Sequence, residues 1–414
     1  MNDPAIVDHF FRHAYGRLVA MLSRRVGLAH LDLVEDAVQS ALMEAVHRWP
    51  QGPRPKEPIA WLYKVAHRRL LDEFRRRTRQ WSLLDRHHHR LPQVVSPPPD
   101  AQFAAELSDD LLRLLFVCCD PNLPPESQLV VALKLLCGFS VDEIAQRLLI
   151  SKANVYKRLT RARHRLQSSS FDWVDTDALG PRLPSVLCVC YLLFTEGYLS
   201  SHPEMSIRQE LCDESLRLAG ILARNPVVQT AELTALRALM HLQRGRLKSR
   251  RNESGQLLLL DEQDRSLWDQ EDIQAGLVLL AQSAEGTVLT KYHVEAGLAA
   301  EHVLAPSFAE TRWDRIVDAY LLLEKLAPSP IHRLNRALAT AEWKGPDAGL
   351  SVLSQFEPPN WLESSHFWFA TLADLNGRAG HSEVSERYWD RALGLAPSEA
   401  IRTALMRRRQ RAAG

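Results

Sequence analysis

At 414 residues, with 46% hydrophobic and 24% charged side chains, the chain is too long for one small core and too apolar for a disordered one. The formal net charge of +1 excludes a uniformly basic or acidic protein, yet lysine and arginine gather in residues 64–79 and 151–165. Six cysteines, Cys118, Cys119, Cys137, Cys188, Cys190 and Cys212, make no CxxC pair and no secreted framework, so a reducing compartment fits. The first residues carry acids and lack a signal-type apolar run, and no stretch reaches the roughly 18 uninterrupted apolar residues of a membrane span. The expectation is a cytosolic protein without a membrane partner.

Three-and-four spacing of apolar residues runs through nearly every long segment, which predicts an all-α fold. Residues 5–30 and 32–48 read as two helices. In the second, Glu35, Asp36 and Gln39 form a polar stripe beside the apolar row Leu33, Ala37, Ala41 and Ala45. A Pro-rich connector, Trp49 to Pro58, leads into a basic helix from Ile59 to about Thr78, closing a first domain over residues 1–80. Its sequence, IAWLYKVAHRRLLDEFRRRTRQ, interleaves a core stripe of Trp61, Leu62, Val65, Leu70 and Phe74 with Lys64, His67, Arg68, Arg69, Arg75, Arg76, Arg77 and Arg79. Aromatic rings beside cations suit single-stranded DNA, because a base stacks on the ring while arginine neutralises the phosphate behind it. The same rings serve equally as core, Tyr63 less so because it falls on another face. Residues 81–107, with His87, His88, His89 and Pro97 to Pro99, read as a flexible linker, and adjacent histidines without Cys or Asp partners do not argue for a metal.

A second helical domain, residues 108–168, contains SVDEIAQRLLISKANVYKRLTRARHRL. Val141, Ile144, Ala145 and Leu148 pin a short helix, Val155, Leu159, Ala162 and Leu166 pin a longer one, and Ser151 is placed to cap the latter. The outer side of that second helix carries Lys152, Asn154, Lys157, Arg158, Arg161, Arg163, His164 and Arg165 with no carboxylate. Like charges three or four residues apart repel by a few tenths of a kcal/mol per pair, about the size a polyanion would relieve. The pattern predicts a helix-turn-helix that binds DNA, with Ser151, Lys152, Asn154, Lys157 and Arg158 nearest base edges and the later arginines on phosphates.

Residues 180–414 turn neutral and rich in Leu and Ala. Leu326-Ala327-Pro328-Ser329 recurs as Leu395-Ala396-Pro397-Ser398, about two periods of the 34-residue tetratricopeptide repeat later. Phe369, Leu372, Trp389, Ala392 and Pro397 fall where that repeat wants its large, small and helix-stopping residues. Earlier pairs, such as Asp213 to Ala223 with Thr230 to Arg244, are helical but match it poorly. A polar cluster, Asp261, Glu262, Gln263, Asp264, Arg265 and Trp268, fits a ligand pocket, a regulatory contact or a buried structural loop. Glu196-Gly197-Tyr198 is placed either to approach that cluster or merely to end a helix. The cysteines read as core.

The order of an acidic-faced helix, a basic aromatic helix, a tether and a basic helix-turn-helix resembles the sigma factors of bacterial RNA polymerase, most closely the extracytoplasmic-function group. DLVEDAVQSALMEAVHRW is similar to the region-two helix, WLYKVAHRRLLDEFRRR to the minus-ten recognition helix, and LPPESQLVVALKLLCGFSVDEIAQRLLISKANVYKRLTRARHRL to region four. Cys118-Cys119-Asp120-Pro121, Leu193 to Tyr198, Asp261 to Trp268 and Pro328 to Ala337 resemble the subgroup with a fused C-terminal tetratricopeptide-like domain. The resemblance implies a transcription initiation factor whose partners are core RNA polymerase, through its β′ clamp helices and β flap, and promoter DNA. It assigns Glu35, Asp36 and Gln39 to polymerase binding, Trp61, Lys64, His67, Arg68, Arg75 and Arg76 to the minus-ten element, and Ser151, Lys152, Asn154, Lys157, Arg158, Arg161 and Arg163 to the minus-thirty-five element. It also implies that the extension tunes activity in cis; the polar cluster offers Asp261, Asp264, Arg265 and Trp268 as a regulatory contact, and the repeat domain a surface for a protein or small-molecule partner. Arg68 stands where an Asn is common, and Leu149 where a Gly often makes the turn. The rival reading is a stand-alone helix-turn-helix regulator with a ligand-sensing repeat domain. No nucleophile-base pair, phosphate-binding Gly loop or metal-ligand spacing points to an enzyme, a cofactor or a metal.

Overall fold

The computed structural model describes residues 4–52, 55–82, 110–148, 150–167, 179–200, 207–253, 255–354, 356–397 and 399–412. Most of the expected linker, its three histidines, Leu149 and the Ser168 to Ser170 run lie outside the described residues. Among those described the protein is all-α, and the sole strand-like pairing is an isolated antiparallel bridge between Arg251 and Leu257. No described helix is long and apolar enough to cross a membrane. No disulfide links the six cysteines, five of which are buried. The chain divides into two units, residues 1–193 and 194–414.

In the first unit, α1 (Pro4–Val26), α2 (Leu31–Arg48) and α3 (Pro58–Ser82) pack on one another. The apolar row of α2, Leu33, Ala37, Ala41 and Ala45, is buried as its spacing predicts. On α3 the buried stripe is Leu62, Tyr63, Ala66, Leu70 and Phe74, so the register differs by one residue from expectation: Tyr63 points inward, whereas Trp61 and Val65 stay half-exposed. A helix at residues 110–118 (α4) precedes α5 (Pro125–Cys137), α6 (Val141–Leu148) and α7 (Lys152–Gln167). Ser140 and Glu143 cap α6 reciprocally, Ser140 N–H donating to Glu143 Oε2 at 2.7 Å and Glu143 N–H to Ser140 Oγ at 3.1 Å. Val155, Leu159, Ala162 and Leu166 are buried and seat α7 on α5 and α6. The backbones of α1 and α5 touch at Gly16, where a Cβ would lie 2.0 Å from the Leu136 carbonyl oxygen.

The second unit begins within α8 (Leu183–Tyr198) and continues through α9 (Gln209–Leu222), α10 (Ala231–Arg244), α11 (Gln270–Ser283), α12 (Lys291–Leu304), α13 (Trp313–Leu326), α14 (Pro330–Lys344), α15 (Pro346–Ser354), α16 (Asn360–Glu363), α17 (His366–Arg378), α18 (Ser382–Gly394) and α19 (Glu399–Ala412). Helices adjacent in sequence pack on each other, so each buries its apolar face against its neighbours in the manner of helical arrays. Phe369, Trp389 and Ala392, singled out by the repeat pattern, meet in one cluster with Ala370, Ala373 and Leu405. Gly197 lies in the last turn of α8, next to its final residue, and it is needed for close approach: a Cβ there would sit 2.7 Å from Arg208 O and from Cys212 N. Both obstacles include backbone, which cannot rotate away. Gly197→Ala should therefore destabilise the second unit by about 1–3 kcal/mol, read as a lower denaturant midpoint by circular dichroism with the first unit's transition unchanged.

Candidate nucleic-acid interface

The start of α7 is built as a donor-rich edge. Ser151 Oγ accepts from Asn154 N–H at 3.3 Å, the capping role its position predicts. Ser151, Lys152, Asn154, Lys157 and Arg161 are exposed and Arg158 is half-exposed. Lys152 reaches Asp142 of α6, whereas Lys157, Arg158 and Arg161 form no ion pair among the described residues. Tyr156, overlooked in the basic run, stands 60% exposed among them. Its signal was its place directly after the buried Val155, off the packing stripe. The result is a cationic surface on which Lys157, Arg158 and Arg161 meet no carboxylate among the described residues, with one aromatic ring at its centre.

Arg163 does not belong to that surface. It turns inward to pair with Glu35 of α2 at 2.7 Å and with Asp32 at 3.9 Å. Glu35, only 4% exposed, also accepts the Tyr15 hydroxyl at 2.6 Å. Burial, with the neighbouring Glu35 charge, holds the Tyr15 phenol far above its usual range. The polar stripe expected at Glu35, Asp36 and Gln39 is thus split: Asp36 and Gln39 are exposed, Glu35 is not. The stripe that α2 does expose runs Asp36, Gln39, Met43 and Val46, at three- and four-residue steps, with Met43 64% and Val46 48% exposed. A search for polar residues alone misses its apolar half.

On α3, Lys64 and Arg68 are exposed. Arg75 pairs with Asp72 at 3.2 Å, and Arg76 and Arg77 share Glu73 at 2.9 and 3.0 Å. The hydrogen bonds from Arg76 and Arg77 hold the Glu73 carboxyl below its usual range. Exposed pairs of this kind contribute roughly 0–1 kcal/mol, so a phosphate can displace them at small cost. Trp61 is half-exposed, its ring 5.7 Å from that of Trp49 in the connector. His67, expected on the DNA side, is instead half-buried and stacked on Tyr63 at 5.6 Å, and burial with the nearby Arg25 pushes its pKa down. It packs as a neutral ring rather than presenting a charge.

Residues 10–80 match sigma-70 region 2 and residues 115–166 match sigma-70 region 4. The chain belongs to the sigma-70 family. Region 2 and region 4 are followed along the chain by a third matched stretch, residues 182–284, which matches a family of unknown function (DUF6596). An uncharacterized protein of Rhizobium meliloti (strain 1021) is 34% identical over 371 residues, covering 89% of this chain and 87% of that protein. A probable RNA polymerase sigma factor of Xanthomonas campestris pv. campestris is 26% identical over 186 residues, covering 41% of this chain and 43% of that protein. No solved structure matches the sigma factor significantly.

The polar cluster of the sigma factor's second unit is paired largely within that unit. Asp261 pairs with Arg411 of α19, and Glu262 with Arg407 at 3.0 Å and Arg411 at 3.1 Å. Asp264 caps the short turn Arg265–Leu267 by accepting Ser266 N–H at 2.9 Å. Trp268 is buried, donates Nε1–H to Ser249 Oγ at 2.8 Å, and lies under the guanidinium groups of Arg265 and Arg246 at 4.4 and 5.5 Å. Arg265 donates to the carbonyls of His302 and Ala305 at 2.9 and 2.6 Å. Burial, together with Arg246 and Arg265, lowers the His302 pKa to about 3. Glu196 is buried 3.8 Å from Arg208, and Arg250 covers the Tyr198 ring at 3.6 Å. These contacts hold the loop to α12 and α19.

Tyr15→Phe tests the burial of Glu35 directly. It removes the hydroxyl hydrogen bond to a buried carboxylate and should cost the first unit about 1–3 kcal/mol, measured by urea unfolding with α2 helicity retained.

Proposed function

We propose that this sigma factor directs transcription initiation at specific promoters, with α7 reading the minus-thirty-five element, α3 and the connector before it engaging the minus-ten element, and α2 docking on the polymerase β′ clamp helices. The observation that carries the reading is the capped, cationic face of α7, where Lys157, Arg158 and Arg161 meet no carboxylate among the described residues. A surface of one sign on a DNA-sized helix gains affinity from phosphate contacts, while its first turns lie nearest base edges. On α3, the half-exposed Trp61 beside Trp49 offers a stacking platform flanked by Lys64 and Arg68. The Asp36, Gln39, Met43 and Val46 stripe suits polymerase docking, since it sets exposed apolar side chains beside an exposed carboxylate along one helix face. The second unit is read as a tetratricopeptide-like domain that tunes the first in cis.

Purified protein should co-elute with core RNA polymerase and support run-off transcription from a subset of a promoter library; failure of the folded chain to bind core removes the reading. A chain ending at Leu193, the edge of the first unit, tests the tuning. Higher output than the whole chain means that the second unit restrains, loss of output means that it supports, and equal output removes a role in cis. Arg158→Ala should weaken minus-thirty-five binding by about 1–3 kcal/mol if the side chain pairs with a base, whereas Lys157→Ala should act on all sequences alike and reduce the salt slope by about 0.9. Both follow from fluorescence anisotropy with matched and scrambled duplexes.

A further inference from the structure

The second unit holds a cavity that promoter and polymerase binding leave without a role. It measures about 420 Å³, within the range of small-molecule sites, and lies where α16, α17 and α18 meet. Each of these helices turns two residues three positions apart toward it: Asn360 and Glu363 from α16, Phe369 and Leu372 from α17, Tyr388 and Arg391 from α18. The Phe369 and Tyr388 rings stack with centres 6.0 Å apart, and Trp368, packed edge-on against Phe356 at 6.2 Å, completes the lining. Phe369 is buried and Trp368, Leu372 and Tyr388 are half-buried in the core clusters behind the cavity, so its apolar wall is anchored.

Two opposite charges at this cavity decide what it takes. Glu363 and Arg391 both line it, both are exposed, and neither forms an ion pair among the described residues. By contrast, on α17 and α18 Asp374 is held by Arg408, and Glu386 and Asp390 are held by Arg409. The Arg391 guanidinium lies over the Phe369 ring at 4.4 Å, which keeps it at the cavity wall while its N–H groups donate to no partner among the described residues. A simple anion drawn to Arg391 would meet the Glu363 charge, and a simple cation drawn to Glu363 would meet Arg391. A zwitterion satisfies both and adds no net charge. We infer that this cavity binds a small zwitterion of the amino-acid class, its carboxylate on Arg391, its ammonium on Glu363 and Asn360, and a large apolar side chain against Trp368 and Leu372. The site goes beyond the sigma-factor reading and does not rest on it.

Full-length protein is titrated by isothermal calorimetry with L-phenylalanine and with L-alanyl-L-phenylalanine. Phenethylamine and hydrocinnamate, which keep the ring and one charge each, are measured beside them. At least one zwitterion should bind saturably, the tighter of the two assigning the ligand as single amino acid or dipeptide. Each singly charged analogue should bind on the order of 10-fold more weakly or worse, because it leaves one charged side chain of the site unanswered. Arg391→Gln and Glu363→Gln, both at exposed positions, should weaken zwitterion binding by a similar factor with helicity unchanged by circular dichroism. Neither zwitterion saturating by about 10 mM overturns the site. Analogues that bind as tightly as the zwitterions, or binding that both substitutions leave unchanged, overturn it equally. Co-elution with core polymerase is a separate measurement, so failure of the site leaves the sigma-factor reading standing.

Discussion

The burial of one carboxylate organises the first unit. Glu35 sits in the second helix of a domain whose other apolar contacts would form without it, and removing its charge from water is costly unless that charge is answered. Tyr15 answers from α1 and Arg163 from α7, so three helices distant in sequence converge on a single side chain. The same convergence decides which cations remain available outside. By drawing Arg163 inward, it leaves Lys157, Arg158 and Arg161 as the outward face of the recognition helix, and by withdrawing Glu35 it moves the exposed stripe of α2 onto Asp36, Gln39, Met43 and Val46.

The two units handle charge differently. In the first, Arg158 and Arg161 form no ion pair among the described residues, and Arg75, Arg76 and Arg77 are held by acidic partners on their own helix. Such pairs are loosely held and easily exchanged for phosphate. In the second, arginines are structural. Arg246 and Arg265 flank the buried Trp268, and Arg244 donates to Asp272 at 2.6 and 2.7 Å while also reaching Asp213 at 3.1 Å. Planar guanidinium groups that stack and fork in this way hold loops to helices with little loss of side-chain freedom.

What the sequence made legible was local. The Ser151 cap, the buried rows of α2 and α7, and the meeting of Phe369 with Trp389 all follow from contacts between residues a few positions or one helix pair apart. Arg163 was misplaced because nothing in its own helix distinguishes it from Arg161; its partners lie on a helix well over a hundred residues earlier, as the 135-residue separation of Gln167 and Asp32 illustrates. Asp261 looked available for the same reason, its partner Arg411 lying 150 residues later. Tyr63 and Trp61 exchanged roles because a helical stripe is wide enough to admit either register, and the choice was made by what α1 and α2 place opposite them. His67 followed Tyr63 inward.

The last helix adds one consequence. Arrays of stacked helix pairs touch only their neighbours and so behave as springs, extending and relaxing along their length. Here Arg407 and Arg411 tie the last helix back to Leu257, Asp261 and Glu262, in the connection between α10 and α11. A spring fastened from its last helix to a point along its length cannot lengthen freely between the two, so α11 to α19 move as one closed stretch. Because the fastening is ionic and partly open to solvent, it weakens as salt rises.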